Sequence, residues 1–440
     1  MPLKREPAIA AATSPTSPAP RTSLFRRPAF VVYWAGGLTS NVGTWLQNVT
    51  ASVVVLSLTH SALLVGVLNF ATFAPIFLLS MAGGMLSDRF DRRLVVIVMQ
   101  SASCAVGIVI TVLSAMGRLN APTLIGLAFL LGTAYALAKP ALAAILPSIV
   151  ERDELGHATA VNTQQFNIGQ LGGSALSAGI LAVTSPTWAF GLNAASFLGP
   201  IAAMLALRRM PFRQAPGKRR MRGSGKEGLQ FLRQTPALLA ILFAVALSNA
   251  SVEALRTLAP SFVERSLRLP VERAGLLVTA YSLGSLLGLL TFNIVSRRLS
   301  SNRLLGLAFG LQAIGVIGVA ASALLAPTAV FAVPIGLGFA FNIPALSAGL
   351  QQLSPDEYLG RVMSMFSMFH LGLRPLFSLT AGALASLIDV RLTFVLFAVF
   401  PIMALRLVAT TGRALGEGRS ASAATPTSVV DVTEQPESAI

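Results

Sequence analysis

Apolar runs of about 18 residues or more follow one another along most of the chain. That feature narrows the fold more than any other, because a helix of that length crosses about 30 Å of hydrocarbon. Inside a bilayer every backbone N–H and C=O must be satisfied within its own element, so such runs have to be helices and strand readings fall away. The charged residues agree: they make up only 11% of the chain, against about a quarter in soluble domains. Hydropathy places twelve helices, near residues 29–57, 61–86, 94–116, 122–147, 158–183, 187–207, 237–261, 272–295, 304–325, 327–350, 360–386 and 390–410. The expected fold class is an all-α integral membrane protein.

The net charge of +16 raises nucleic acid as a partner. The Lys and Arg residues, however, sit in short stretches between apolar runs, where they act as topology signals, and no nucleic-acid partner is expected. With the N-terminus inside, the inside segments take the five basic residues of the N-terminal tail, Arg89, Arg92, Arg93, Arg152, nine from Arg208 to Arg233, Arg297, Arg298, Arg303, Arg361 and three from Arg406 onward, 25 of the 33 in all. Arg118, Arg256, Arg265, Arg268, Arg273 and Arg391 fall on the outer side. Both termini are therefore expected in the cytoplasm, and a multi-pass protein of the inner or plasma membrane follows. The single cysteine, Cys104, lies in an apolar run and excludes an intrachain disulfide. Arg26-Arg27 has the look of a twin-arginine export signal, but the run after it is of full membrane length.

Composition divides the chain further. Residues 1–28 and 411–440 are rich in Ala, Ser, Thr, Pro or Gly and are expected to be disordered cytoplasmic tails. Residues 208–236 form a basic cytoplasmic linker between a six-helix bundle at 29–207 and a second at 237–410. The halves resemble one another at an offset of 204: Gly132 aligns with Gly336, Ala136 with Ala340, Pro140-Ala-Leu142 with Pro344-Ala-Leu346, and Leu155-Gly156 with Leu359-Gly360. Each half has an even number of helices, so both copies enter from the same side. The result is a parallel repeat about the membrane normal, an architecture of transporters.

Between the second and third helices stands Gly84-Met-Leu-Ser-Asp88-Arg89-Phe-Asp91-Arg92-Arg93. It resembles the signature loop of the major facilitator superfamily, with Asp91 where the family usually has Gly. The resemblance implies a fold of two pseudo-symmetric six-helix bundles and a conformational gating role for Gly84, Asp88, Arg89, Arg92 and Arg93. An acidic residue at a helix end among arginines can hold two cytoplasmic ends together and release them when the halves rock. From Phe25 to about Val408 the chain also resembles the transmembrane secretion effectors. Ser40-Asn-Val-Gly-Thr-Trp45-Leu-Gln47, Phe166-Asn167, Asn193-Ala-Ala-Ser-Phe197 and Pro355-Asp-Glu-Tyr-Leu-Gly-Arg-Val-Met-Ser364 carry this likeness. That group includes siderophore exporters and macrolide efflux pumps, so the likeness implies export. Where drug antiporters place Gly-Pro in the fifth helix, this chain has Gly173-Ser174.

Ionisable residues inside membrane spans are costly and mark functional positions. Asn249, Glu253 and Arg256 share one face of the seventh helix, and His370 and Arg374 one face of the eleventh. Lys139 lies in the fourth helix, Asn41, Trp45 and Asn48 in the first, and Asn162 and Gln165 in the fifth. These faces are expected to line a polar cavity between the bundles. Glu253 is the leading proton-coupling candidate, with an ion pair to Arg256 as the alternative, and His370 is either a second candidate or a packing histidine. Lys139 and Arg374 either attract an anionic substrate or serve in salt bridges. Gly284 and Gly288, like Gly169, Gly172 and Gly173, suit close helix packing across the seam.

Neither a nucleotide-binding loop nor a nucleophile elbow is present in the sequence, and the three histidines lie far apart. An enzyme, a metal and a cofactor are therefore not expected. The sequence predicts a monomeric secondary transporter, a proton-linked exporter of a small, partly apolar compound. An importer or facilitator on the same scaffold, or a non-transporting sensor, are the alternatives.

Overall fold

In the computed structural model residues 24–151, 154–208 and 235–423 are described, with 356, 357, 359–361 and 410–423 by backbone alone. The expected linker, apart from its ends, and most of both expected tails lie outside these residues. Among the described residues eleven helices are long and apolar enough to cross a membrane. They are α1 (Pro28–Thr59), α2 (Ala62–Arg89), α3 (Arg92–Ala115), α4 (Ala121–Ile149), α5 (Leu155–Val183), α6 (Pro186–Leu207), α7 (Pro236–Ser266), α8 (Val271–Arg298), α9 (Ser301–Ala321), α10 (Leu325–Leu353) and α12 (Val390–Ala423). The remaining crossing, α11, is made of Asp356–Ser367 and Arg374–Leu387 with a π turn at Met368–Gly372 between them.

Local chemistry sets the helix ends. Pro28 opens α1 with a fixed φ where no N–H is needed. Asn120 caps α4 by accepting from Thr123 N at 2.9 Å, and Ser61 caps α2 by accepting from Leu64 N at 3.3 Å. At the other end α12 continues to Ala423, into the stretch expected to be disordered. The Ala, Leu, Arg and Glu of that segment are good helix formers, and Pro is absent until position 426.

The repeat seen at an offset of 204 has a packing basis. A Cβ on Gly132 would overlap the carbonyl oxygen of Thr72 on α2, and one on Gly336 would overlap that of Tyr281 on α8. Thus α4 lies tight against α2 as α10 lies tight against α8, each through the equivalent glycine. Pro140 and Pro344 stand inside these same two helices.

The glycines expected across the seam pack instead inside each bundle. Gly284 and Gly288 face Val333, Leu337 and Ala340 on α10, while Gly169 and Gly173 face Asn41 and Val42 on α1. Sequence spacing shows that a helix can approach something closely but not which helix it meets. The seam uses Gly66 of α2 against Ser378 and Gly382 of α11, and Gly275 of α8 against Ala178 of α5.

The two ends of the molecule differ in their apolar cores. At the end away from the termini, one continuous cluster joins both bundles, running from Val49–Leu56 and Ala62–Leu68 through Leu255–Val263 and Leu277 to Phe394 and Phe397. At the end carrying the α2–α3 loop the core is divided. Phe30, Val96, Ile145 and Met204 form a cluster within the first bundle, and Leu242, Phe309, Leu350 and Ala404 form another within the second. Among the described residues the apolar cores of the bundles are joined at one end and divided at the other.

Candidate functional site

Helices α7 and α11 run in the same direction, and their polar faces meet at two levels one turn apart. At the first, Asn249 Nδ2 lies 3.2 Å from His370 Nδ1. At the second, Arg374 donates from Nε to Glu253 Oε1 at 2.6 Å. Both pairs are 121 residues apart in sequence, so the register is kept although His370 lies within the π turn of α11 and Arg374 beyond it.

Glu253 is 1% exposed and gathers further donors: Arg256 Nη1 gives to Oε1 at 2.8 Å, and Ser378 Oγ to Oε2 at 3.3 Å. The expected ion pair to Arg256 is present, and Arg374 adds a second guanidinium. One carboxylate therefore stands between two cations, which leaves a positive charge without a carboxylate of its own inside a low-dielectric region. A buried charge is tolerable only when paired and hydrogen-bonded. Here aromatic faces carry part of that load. The Arg256 guanidinium is 4.9 Å from the ring centre of Trp45 on α1 and 5.1 Å from that of Tyr281 on α8, and Arg374 is 4.7 Å from that of Phe73 on α2. The charged side chains belong to the second bundle, and two of the three rings beneath them, Trp45 and Phe73, belong to the first.

His370 is half-buried and stacked between Phe339 and Phe366, with ring centres 6.0 and 5.7 Å away. Beside the charged cluster lies a cavity of about 110 Å³, bounded mainly by α1–α6 and closed on one side by Leu371 and Arg374. Asn41, Trp45, Asn48 and Lys139 line it, with Asn69, Gln100 and Asn193 as further polar groups. Lys139 stands 5.9 Å from the ring of Tyr135, which also lines the cavity.

The other expected lining residues lie elsewhere. Gln165 is buried, accepts from Asn41 Nδ2 at 3.1 Å and donates to the Trp34 carbonyl, so it ties α5 to α1. Asn249 faces α11, and Arg256 borders a neighbouring cavity of about 20 Å³ with Trp45 and Asn48. Asn162 is half-buried and outside both cavities. A helical face was legible in the sequence, but which neighbour it would meet was not.

The likeness to known proteins agrees with this arrangement. Residues 18–436 match the family described as transmembrane secretion effector. The chain belongs to that family. Among curated relatives, the enterobactin exporter EntS of Shigella dysenteriae serotype 1 is 27% identical over 357 residues, covering 77% of this chain and 81% of the relative. The protein of the same name from Shigella boydii serotype 4 matches with the same identity and coverage. Two solved structures share the fold. The nucleoside transporter NupG has a TM-score of 0.68 at 12% identity, covering 87% of this chain and 99% of its own. A bacterial homologue of the human lysosomal transporter Spinster, in an inward-facing and unoccupied conformation, has a TM-score of 0.67 at 13% identity, covering 88% and 97%. This secretion effector is a multi-pass membrane transporter of the major facilitator superfamily.

In this secretion effector the signature loop is built differently from the family pattern. Asp91 is the N-cap of α3, with φ −56°, and its Oδ1 accepts from Arg93 N at 2.7 Å and Leu94 N at 3.4 Å. A left-handed backbone is not needed there, so the position does not require Gly. Arg92 donates to the Ala144 carbonyl of α4 at 3.2 Å, and Asp88 and Arg89 are exposed at the divided end. Gly83, rather than Gly84, is pressed against α4, while a Cβ on Gly84 would meet nothing within 4 Å.

Ser378, Tyr281 and Phe73 complete the site and were not singled out in the sequence. Ser378 follows Arg374 by one turn, a spacing that could have found it. The two aromatic residues sit among many apolar positions, where nothing in the sequence separates a ring under a cation from a ring in the core.

Proposed function

We propose that this chain is a proton-linked exporter of a small, partly apolar compound, acting as a monomer by alternating access with both termini in the cytoplasm. The observation that carries the reading is the cluster of Glu253, Arg256 and Arg374, because its charges sit in one bundle and rest on Trp45 and Phe73 of the other. Neutralising Glu253 with a proton would remove the negative charge that orders both guanidinium groups, and their hold on the first bundle would change with it. His370, between two aromatic rings, is the second coupling candidate, since protonation would set a new charge against Phe339 and Phe366.

The basic loops put the divided end toward the cytoplasm of an inner or plasma membrane, so this conformer faces inward. The Asp88–Arg93 loop lies at that end, and our reading gives Gly84, Asp88, Arg89, Arg92 and Arg93 the task of closing it in the other conformer. The export direction is taken from the exporter relatives.

The test is uptake by inverted membrane vesicles of radiolabelled enterobactin, other siderophores and macrolides, with and without an acid-inside gradient, for wild type and Glu253→Gln. We expect gradient-driven accumulation by the wild type. We also expect Glu253→Gln to lose accumulation while still exchanging internal for external substrate without a gradient. Wild-type accumulation indifferent to the gradient would sink proton linkage, and loss of exchange together with accumulation would reassign Glu253 to structure.

A further inference from the structure

We propose that the cavity of this transporter receives an organic anion, whose acidic group lies between Lys139 and Arg374 and whose apolar body lies against the aromatic wall. The inference rests on the reading of this cavity as the transport site and adds the chemical class of what enters it.

Among the described residues the lining carries two cationic side chains, Lys139 and Arg374, and not one Asp or Glu. No carboxylate among the described residues pairs with Lys139, whose ammonium lies instead beside the ring of Tyr135. Arg374 is 8% exposed and spends Nε on Glu253, while its Nη2 is buried without an acceptor. Arg256 is in the same condition at its own Nε. Buried guanidinium donors without acceptors are costly, and polar groups in protein interiors are otherwise almost always satisfied. Glu253 is already shared by two arginines and cannot serve as counterion to a third cation at Lys139.

An anion entering from the divided end therefore meets positive potential on two sides and donors that gain an acceptor. A cation meets repulsion from Lys139 and Arg374 with no carboxylate in the lining to offset it. The neutral part of the lining says what surrounds the charge. Trp45, Phe73, Tyr135 and Phe166 offer ring faces, and Asn41 and Asn48 offer amides. That combination suits an aromatic acid better than a small inorganic anion, which would leave the rings without a partner.

The test compares 1-naphthoate with neutral 1-naphthamide, matched in shape, binding to the purified full-length protein in phosphatidylcholine nanodiscs by titration calorimetry. Wild type is expected to bind naphthoate about tenfold more tightly than naphthamide, Lys139→Gln to bring the two within about twofold, and Lys139→Arg to keep the preference. Equal binding of acid and amide by the wild type overturns the proposal, and that comparison holds even if Lys139→Gln does not fold. A preference undiminished in folded Lys139→Gln overturns it as well. If adding phosphatidylglycerol displaces naphthoate, a lipid headgroup is the occupant and the transported-anion assignment fails. The vesicle assay fails separately: gradient-driven export of a neutral or cationic compound, together with equal binding of acid and amide, would keep the transport reading and reject the anion.

Discussion

Arg256 stacks on Trp45, 4.9 Å from the ring centre, while the same guanidinium bonds to Glu253 at 2.8 Å. One side chain thus links the carboxylate of the second bundle to an aromatic face of the first. Removing the ring should cost the stacking together with part of the packing of a buried side chain. Trp45→Leu is expected to lower stability by about 1–2 kcal/mol and Trp45→Phe by less than half of that, measured as thermal unfolding of the detergent-purified protein. Equal losses in the two variants would mean that the volume of Trp45, rather than its ring face, matters there.

Glu253 serves two arginines, so its removal leaves two buried cations without their acceptor. Glu253→Ala should destabilise by about 3–5 kcal/mol. Adding Arg374→Met to Glu253→Ala should recover part of that loss, because one of the stranded charges goes with it. Additive losses in the double variant would show that the two groups are not coupled.

A methyl group distinguishes the packed glycines from the open one. Gly132→Ala and Gly336→Ala should each cost about 1–3 kcal/mol, since the new Cβ meets backbone that cannot move aside cheaply. Gly84→Ala, with open space around it, should fall within about 0.5 kcal/mol of wild type. Folded yield by fluorescence-detected size exclusion ranks the three, and a Gly84→Ala loss equal to the others would contradict the packing described.

Asp91 caps α3 through its side chain. Asp91→Ala should lower stability by about 0.5–2 kcal/mol, whereas Asp91→Asn should be nearly neutral and Asp91→Gly should lose only a few tenths. Comparable losses in Asn and Ala variants would exclude the cap as the reason for Asp at this position.

Much of this architecture was legible because the bilayer imposes it. Apolar length fixed the helix count, and the aligned glycines and prolines announced two related halves that the α2–α4 and α8–α10 contacts then explain. Helical spacing also grouped Asn249 with Glu253 on one helix and His370 with Arg374 on another, and the two groups meet across the helices. What spacing could not supply was the partner across space. It placed Glu253 beside Arg256 three residues away but not beside Arg374 on another helix, and it set Gln165 in a cavity when that amide is consumed by Asn41 and the Trp34 carbonyl. The break in α11 was hidden for a related reason, because the stretch from Met368 to Gly372 is as apolar as its surroundings and carries no Pro to mark it.

The single apolar cluster at the closed end has a thermal consequence. On the alternating-access reading, opening that end means parting first-bundle members of the cluster, such as Val55 and Val65, from second-bundle members, such as Leu255 and Leu277, and wetting their faces, which raises heat capacity. Sealing the opposite end lowers it, by an amount set by the surfaces brought together there. Unless these two areas cancel, the proposed equilibrium between conformers would bend with temperature, and the share of molecules facing each side of the membrane would depend on it even with no substrate present.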